Sequence, residues 1–282
     1  MKNILITGGS GFFGRGFTRH LLKHYPDTDR ICIYSRGEHS QAEMRQEFND
    51  DERLRWFIGD IRDRDRLRRA MSSIDVVVHA AALKRIEVGA YNPVEMVLTN
   101  VNGAINVVEA ARDARVPKVV ALSTDKAYQP ISPYGYSKAM AEAIFLAAND
   151  NHGTLFTVTR YGNVAGSSGS VIPKWRKHLQ GSHYVPVTDG DCTRFWMTLQ
   201  QAIDLVATTI EEMKGGETVI PDLQAYQIGD LALAMGAWGA QLPVMGLPSY
   251  EKKHESMSDS ACSSDLHRRL SIEQLQELLK QV

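Results

Sequence analysis

Asn3-Ile4-Leu5-Ile6-Thr7-Gly8-Gly9-Ser10-Gly11-Phe12-Phe13-Gly14-Arg15-Gly16-Phe17, residues 3–17, changes character twice in a short distance. A compact apolar run ends in glycine, and beyond it Phe13, Phe17 and Leu21 recur every fourth residue, the spacing of one helix face. A strand, a glycine turn and a helix in immediate succession open a dinucleotide-binding unit. The spacing Gly8-x-x-Gly11-x-x-Gly14 lets the backbone turn tightly, approach a pyrophosphate and pack helix against strand. Ser10, Phe12 and Phe13 belong to the same loop and to the same cofactor-binding set.

The pattern continues down the chain. Segments 30–35, 54–59, 75–81, 118–124 and 155–161 are dense in β-branched and aromatic residues, as buried parallel strands are. Helical segments are expected at 12–24, 94–114 and 134–149. This alternation predicts an α/β fold, a Rossmann-type doubly wound parallel sheet. After residue 162 the pattern loosens: Gly and Ser cluster at 162–170, a helix is expected near 174–179 and another at 200–213, Arg194-Phe195-Trp196-Met197 stands alone, and 214–260 is irregular. The expected organisation is an NADP-binding core over residues 1–164, to which later elements return. Residues 165–282 then form mainly a smaller substrate-binding lobe and a C-terminal helix. Ser271 and Gln274 have capping-box spacing, with Leu270 and Leu275 placed for a hydrophobic staple.

Composition excludes several function classes. Net charge is −1, so no basic excess drives nucleic-acid binding, and the arginines from Arg62 to Arg69 alternate with Asp60, Asp63 and Asp65 as on a solvated, salt-bridged helix face. Cys32, Cys192 and Cys262 are widely spaced and odd in number, which argues for a reducing compartment and against a disulfide framework. No His/Cys cluster has metal-ligand spacing, no signal-peptide pattern precedes the first strand, and no apolar run is long enough to span a bilayer. A soluble, cytoplasmic protein without a metal or membrane partner is expected.

The end of the second strand selects the dinucleotide. An NAD site usually carries an acid there for the ribose 2′-hydroxyl; this chain reads Tyr34-Ser35-Arg36, with no acid until Glu38. A hydroxyl and a forked, fully charged guanidinium suit a 2′-phosphate, so NADP is the expected cofactor. Asp60 and Ile61 are placed to border the adenine, and Ala80, Ala81 and Ala82 give a small-residue surface along the cofactor.

The stretch Ser123-Thr124-Asp125-Lys126-Ala127-Tyr128, followed by Tyr134-Gly135-Tyr136-Ser137-Lys138, carries the chemistry. Tyr134 and Lys138 lie one helical turn apart on one face. An ammonium beside a phenol lowers its pKa, so that the phenolate can take a proton from an alcohol being oxidised. Ser123 or Thr124 completes the alcohol-binding set, Tyr128 is placed to line the site, and Tyr136 faces away.

Here the chain resembles the extended short-chain dehydrogenase/reductase superfamily, in its sugar-nucleotide-modifying branch. More narrowly it is similar to the inverting UDP-N-acetylglucosamine 4,6-dehydratases, through Ala82-Leu83-Lys84, Tyr91-Asn92-Pro93, Thr99-Asn100-Val101-Asn102-Gly103, Ser123-Thr124-Asp125-Lys126-Ala127, Arg160-Tyr161-Gly162-Asn163-Val164, Gly169-Ser170-Val171-Ile172-Pro173 and Thr193-Arg194-Phe195-Trp196. The motifs cover roughly residues 1–215, and the C-terminal third keeps Glu251-Lys252-x-His254-Glu255. The resemblance implies a reaction. Tyr134 takes the O4 proton while the C4 hydride passes to NADP⁺, and the 4-keto group acidifies C5. Lys126 is then the C5 base and Asp125 the acid for the leaving C6 hydroxyl; hydride returns to C6, and C5 is reprotonated from the other face. Retaining relatives carry Asp-Glu at this place. Lys126 would have to be neutral part of the time, which burial near Lys138 or Lys84 would favour.

The resemblance further implies that Lys84, Asn100, Ser123, Thr124, Tyr161, Asn163 and Val164 contact the cofactor. Lys84, Thr124, Lys126, Tyr134, Asn163, Val171, Lys174, Thr188, Arg194 and Glu255 would contact a UDP-sugar, UDP-N-acetylglucosamine foremost, with Arg194 and Lys174 on its phosphates. It also implies a homo-oligomer built through helices 94–114 and 134–149. The rival readings are a UDP-N-acetylhexosamine 4-epimerase, a dehydratase that stops at the 5,6-alkene, and a non-catalytic NADP scaffold. An epimerase needs no C5 base, and a scaffold needs neither the Tyr134/Lys138 nor the Asp125/Lys126 pair.

Overall fold

The computed structural model describes residues 1–149, 153–238, 246–259 and 263–282; Cys262 lies outside them. In chain order the first half runs β1 (Asn3–Thr7), α1 (Phe12–His24), β2 (Arg30–Ser35), α2 (Glu38–Glu47), β3 (Leu54–Ile58), α3 (Arg64–Ala70), β4 (Val76–His79), α4 (Ile86–Tyr91), α5 (Pro93–Met96), α6 (Gly103–Asp113) and β5 (Lys118–Leu122). The second half continues with α7 (Pro133–Ala147), β6 (Leu155–Thr159), β7 (Asn163–Val164), α8 (Val171–Leu179), β8 (Thr193–Met197), α9 (Leu199–Glu212), β9 (Thr218–Val219), β10 (Ala225–Gln227), α10 (Ile228–Ala234) and α11 (Ile272–Leu279). Among the described residues the main sheet has seven strands in the order β3-β2-β1-β4-β5-β6-β9, all parallel. The order reverses between β1 and β4, the switch point where open α/β sheets bind ligands. A smaller sheet, β10-β8-β7, supports the second lobe.

Two apolar layers sandwich the main sheet: Ile4, Ile6, Phe17, Leu21 and Ile203 on one face, and Leu5, Val77, Val107, Val119 and Phe145 on the other. Helix α9 returns to the first layer, so the chain after residue 165 rebuilds part of the core; a β-carbon at Gly16 would lie 2.9 Å from Leu199, which is how closely α1 and α9 approach. A third cluster, with Trp175, Trp196, Tyr226, Leu231 and Leu275, fills the second lobe. The capping box at Ser271 and Gln274 is present, with Leu270 and Leu275 buried beneath it.

The structure departs from the sequence reading in three places. The helix expected over 94–114 is broken: residues Val97–Asn102 form a π-helical turn between α5 and α6. Such turns insert one residue and re-aim side chains. Here Asn100 is turned to accept from Leu83 N (2.8 Å) and to donate to Leu83 O (2.9 Å) and Ser137 Oγ (2.9 Å). The strand expected over 75–81 stops at His79 because Ala80–Ala82 leave the sheet toward the glycine loop. Within the irregular stretch, β9, β10 and α10 form; they are short, β9 being held by pairing with β6 in the main sheet and β10 and α10 by burial in the second lobe more than by local propensity.

Candidate active site

At the carboxyl ends of β1, β4 and β5 lies a cavity of about 910 Å³. One end is walled by Gly8, Ser10, Gly11, Phe12, Phe13 and Gly14, and Gly8 has φ +67°. A β-carbon at Gly8 would sit 2.9 Å from the Ala81 backbone, and one at Gly14 would sit 2.3 Å from Gly9 O. Gly11 is the N-cap of α1 and offers no side-chain cap, and the first turn holds no acid, leaving its N–H groups open to an anion. These residues fit the pyrophosphate of a dinucleotide. Tyr34, fully buried, donates to Asp60 O (2.8 Å) and fixes the Gly59–Ile61 edge. Ser35 accepts from Ser10 and Gln41 at 2.9 Å each, and Arg36, exposed at the rim, makes no side-chain hydrogen bond among the described residues.

The other end holds the reactive groups. Ser132 caps α7 by accepting from Gly135 N (3.1 Å), with Pro133 in the first turn. Gly135 packs so tightly that a β-carbon would lie 2.5 Å from Lys126 O, and this contact sets Tyr134 beside the one-turn 3₁₀ helix Asp125–Ala127. Thr124, Lys126, Tyr134 and Lys138 share the wall with Ser123, Tyr161, Asn163, Val164 and Lys84. Burial raises the Tyr134 phenol to about 12, against the pull of the Lys126 cation and the Thr124 hydroxyl. Burial lowers Lys138 to about 8, and its Nζ donates to Leu122 O at 2.7 Å.

Three expectations about charge are corrected. The Tyr134 phenol is not lowered: burial outweighs the pull of the Lys126 cation, and the net effect is upward. Lys126 is not neutralised by burial: Asp125 Oδ1 (3.0 Å) and Glu255 Oε1 (3.3 Å) hold it as a cation, and its pKa is raised despite the desolvation. Asp125 is fully buried behind the wall. Its Oδ1 accepts from Thr124 Oγ1 and Lys126 Nζ, both at 3.0 Å, and its Oδ2 accepts no hydrogen bond among the described residues. Of the three, Thr124 and Lys126 reach the cavity and Asp125 does not.

Other candidate residues lie off the wall. Arg194, expected on the phosphates, is 3% exposed and fully engaged: Nη1 donates to Thr193 O (2.7 Å) and Lys253 O (3.0 Å), and Nη2 pairs with Glu251 (2.8 Å). Lys174 points to Glu87 at 3.6 Å, Val171 begins α8, Thr188 precedes the loop to β8, and Asn100 braces the Leu83 loop from behind. Tyr128 donates its hydroxyl to Asp259, outside the cavity, and Tyr136 is 60% exposed. The sequence reading missed Arg85, Ser167 and Ser168 on the rim, where a β-carbon at Gly169 would be 3.2 Å from the Arg85 guanidinium. The Gly/Ser cluster was the signal for them.

A family model for polysaccharide biosynthesis proteins matches residues 4–275. The chain is 46% identical to an inverting UDP-N-acetylglucosamine 4,6-dehydratase of Campylobacter jejuni subsp. jejuni serotype O:23/36 (strain 81-176), covering 92% of this chain and 78% of that one. It is 38% identical to a UDP-glucose 4-epimerase of Rickettsia bellii (strain OSU 85-389), again over 92% and 78%. The fold is similar to that of a dTDP-glucose 4,6-dehydratase double mutant from Streptomyces venezuelae, solved with NAD bound. That match has a TM-score of 0.80 and 26% identity, covering 88% of this chain and 85% of that one.

Proposed function

The chain belongs to the polysaccharide biosynthesis protein family, and on that premise we propose that it is an NADP-dependent UDP-N-acetylglucosamine 4,6-dehydratase that inverts C5. The observation that carries this reading is the Asp125–Lys126 pair, 3.0 Å apart, with Lys126 on the cavity wall that Tyr134 shares. A 4-epimerase needs a base for O4 alone. A second, carboxylate-paired amine is what a C5 deprotonation adds.

A nicotinamide dinucleotide bound along Gly8–Gly14 supplies oxidation at C4 and the hydride that C6 receives. Everything else is proton movement by this chain. Tyr134, once its phenol has released its own proton to solvent, takes the O4 proton as the phenolate. Lys126 hands one proton to Asp125 across 3.0 Å, leaving an amine and a carboxylic acid. The amine takes the C5 proton, now acidified by the 4-keto group, and becomes an ammonium again. Asp125 passes its proton to Thr124 Oγ1, 3.0 Å away, and Thr124 passes its own to the departing C6 hydroxyl, which leaves as water. Lys126 and Asp125 thereby return to their starting charges. The overall balance delivers to C5, from the opposite face, the proton equivalent that Tyr134 took from O4.

We assign the dinucleotide to residues 1–164 and the nucleotide sugar mainly to residues 165–282, with Lys84, Arg85, Asn163 and the Ser167–Ser170 run nearest the sugar and its phosphates. Exposed Val94, Val97, Tyr136 and Met140 on α5–α7 support self-association through those helices. Among the described residues no helix is long and apolar enough to cross a membrane, which supports our placing a water-soluble sugar-nucleotide reaction in the cytoplasm.

Arg36 supports the choice of NADP. Arg36→Ala is expected to weaken NADP⁺ binding by roughly 10–100-fold, the worth of a charge-assisted contact, while NAD⁺ affinity stays within a few-fold. Titration calorimetry on cofactor-stripped protein reads both, and an equal loss for the two cofactors would remove the 2′-phosphate contact. The function itself is tested by incubating the protein with UDP-N-acetylglucosamine in D₂O and following proton NMR. A C6 methyl signal, a 4-keto pattern and deuterium at inverted C5 are expected. A galacto isomer with C6 still oxygenated would make the chain an epimerase, and olefinic signals would make it a 5,6-dehydratase.

A further inference from the structure

Residues 251–259 form a strap across the catalytic turn. Arg194 on β8 holds Glu251 and the Lys253 carbonyl; Thr193 N donates to Lys253 O (3.0 Å), and Thr193 Oγ1 bonds His254 Nδ1 (2.8 Å). Lys252 Nζ donates to Tyr128 O (2.6 Å), and Arg160, paired with Glu142, donates to Met257 O. These contacts fasten the strap without Glu255. Its side chain is nevertheless driven into the interior at 1% exposure, with Oε1 3.3 Å from Lys126 Nζ and Oε2 3.4 Å from Lys252 Nζ. Its backbone is clamped on both sides by Ser264, through Glu255 N to Ser264 Oγ (2.9 Å) and Ser264 N to Glu255 O (2.8 Å). Burying a carboxylate costs several kcal/mol unless its partner repays it.

The sequence reading placed Glu255 among the substrate contacts, but it does not line the cavity. Its partner is the ammonium. Lys126 Nζ donates to Asp125 Oδ1 at 3.0 Å and to Asn163 Oδ1 at 3.1 Å, and forms an ion pair with Glu255 Oε1 at 3.3 Å. Asn163 cannot take a proton, and Asp125 is committed to the leaving hydroxyl. Glu255 is the anion beside Nζ that remains charged throughout the proton cycle.

We propose that Glu255 is a positioning residue for the C5 base: it holds the Lys126 ammonium at the cavity wall and stabilises the positive charge that reappears on Nζ as the C5–H bond breaks and the N–H bond forms. This rests on the dehydratase reading above. The groups that face Lys126 are Asp125 on its own turn, Glu255 and Lys252 on the strap, Arg194 on β8, Tyr134 on α7 and Tyr226 on β10. Among these Glu255 is the negative charge that takes no part in proton transfer, so its removal makes the amine a weaker base while leaving O4 deprotonation to Tyr134.

Glu255→Gln separates this role from a structural one, because it keeps the shape and removes the charge. In the cofactor-loaded enzyme with UDP-N-acetylglucosamine, the absorbance of reduced nicotinamide reports C4 oxidation, and appearance of the C6 methyl reports dehydration. Glu255→Gln is expected to retain the first within a few-fold and to lose roughly tenfold or more of the second, with Glu255→Asp recovering part of the loss. The alkaline limb of the single-turnover dehydration profile is expected to move down by about one pH unit or more, and so is the ¹⁵Nζ titration of Lys126 in the substrate-free protein. Wild-type dehydration with an unmoved Lys126 titration would overturn the proposal. So would loss of both steps in equal measure, the signature of a strap that merely folds the site. A wild-type protein that leaves UDP-N-acetylglucosamine unchanged would instead sink the dehydratase reading, even if the Lys126 titration still moved in Glu255→Gln.

Discussion

Replacing Lys126 by arginine is expected to preserve the fold and C4 oxidation while cutting dehydration by roughly 10²–10⁴-fold, the usual worth of a positioned acid or base. Arginine keeps the charge that Asp125 and Glu255 surround, but it does not deprotonate in a protein, so it cannot serve at C5. The product expected to accumulate is the 4-keto sugar with C6 still oxygenated, beside reduced nicotinamide. Lys126→Gln gives the same block with a further signature. It leaves two buried carboxylates facing each other without their cation, so its thermal midpoint should fall well below that of Lys126→Arg. Rapid-quench product analysis together with melting curves checks both variants. Normal dehydration by Lys126→Arg would remove the amine from the mechanism.

The second large effect concerns Lys138 and runs in opposite directions for activity and stability. Burial lowers this amine from 10.5 to about 8, so the folded chain gives up its proton where the unfolded chain still binds one. Between those values stability rises with pH; below about 8 the whole penalty is present. At about 1.4 kcal/mol per pH unit the gap is worth roughly 3 kcal/mol, an upper bound because removing the amine also strips a donor from Leu122 O. Lys138→Met is therefore expected to stabilise the protein by about 1–3 kcal/mol at neutral pH, with the gain vanishing as pH approaches 10.5. The same variant loses C4 oxidation, because Lys138 lines the cavity beside Tyr134. Urea midpoints at several pH values test the sign. A Lys138→Met protein less stable than wild type at neutral pH would show that the amine is held charged by partners.

The parts of this architecture that were legible in the sequence are those written in adjacent residues. Gly8, Gly11 and Gly14 follow β1 directly, and the β-branched runs announce their strands because a buried parallel strand needs no distant information to look like one. Tyr134 and Lys138 were legible for the same reason, being one turn apart on α7. Charge states were not legible. The Lys126 ammonium is held by its neighbour Asp125 and also by Glu255, which arrives from a strap far along the chain, and Arg194 reads as a free phosphate cation until Glu251 and the Thr193 and Lys253 carbonyls are seen to occupy it. The π turn at Val97–Asn102 was hidden likewise, because what stabilises it is the bonding of Asn100 to the Leu83 loop and to Ser137. Packing decided these features, and packing joins residues that the sequence keeps apart.

That packing also limits substitution where no chemistry is visible. Gly135 contacts substrate nowhere in the mechanism, yet its missing β-carbon lets α7 approach Lys126 O and brings Tyr134 to the same wall as Lys126. Gly162 likewise leaves room beside Asp125 Oδ2, where a β-carbon would stand 3.4 Å away, and in front of Phe195, where it would stand 2.7 Å away. The catalytic groups are placed by backbone approach, and side-chain bonds then fix their charges.

The most direct test of the whole account is the fate of the hydrogen at C4. UDP-N-acetylglucosamine carrying deuterium at C4 is incubated with the protein, and the products are read by deuterium NMR. The account predicts deuterium in the new C6 methyl group, because what leaves C4 is returned to C6 after Lys126 and Asp125 have expelled water. Deuterium found only at C4, in recovered substrate or in its galacto isomer, would contradict it and leave the Asp125–Lys126 pair without a reaction to perform.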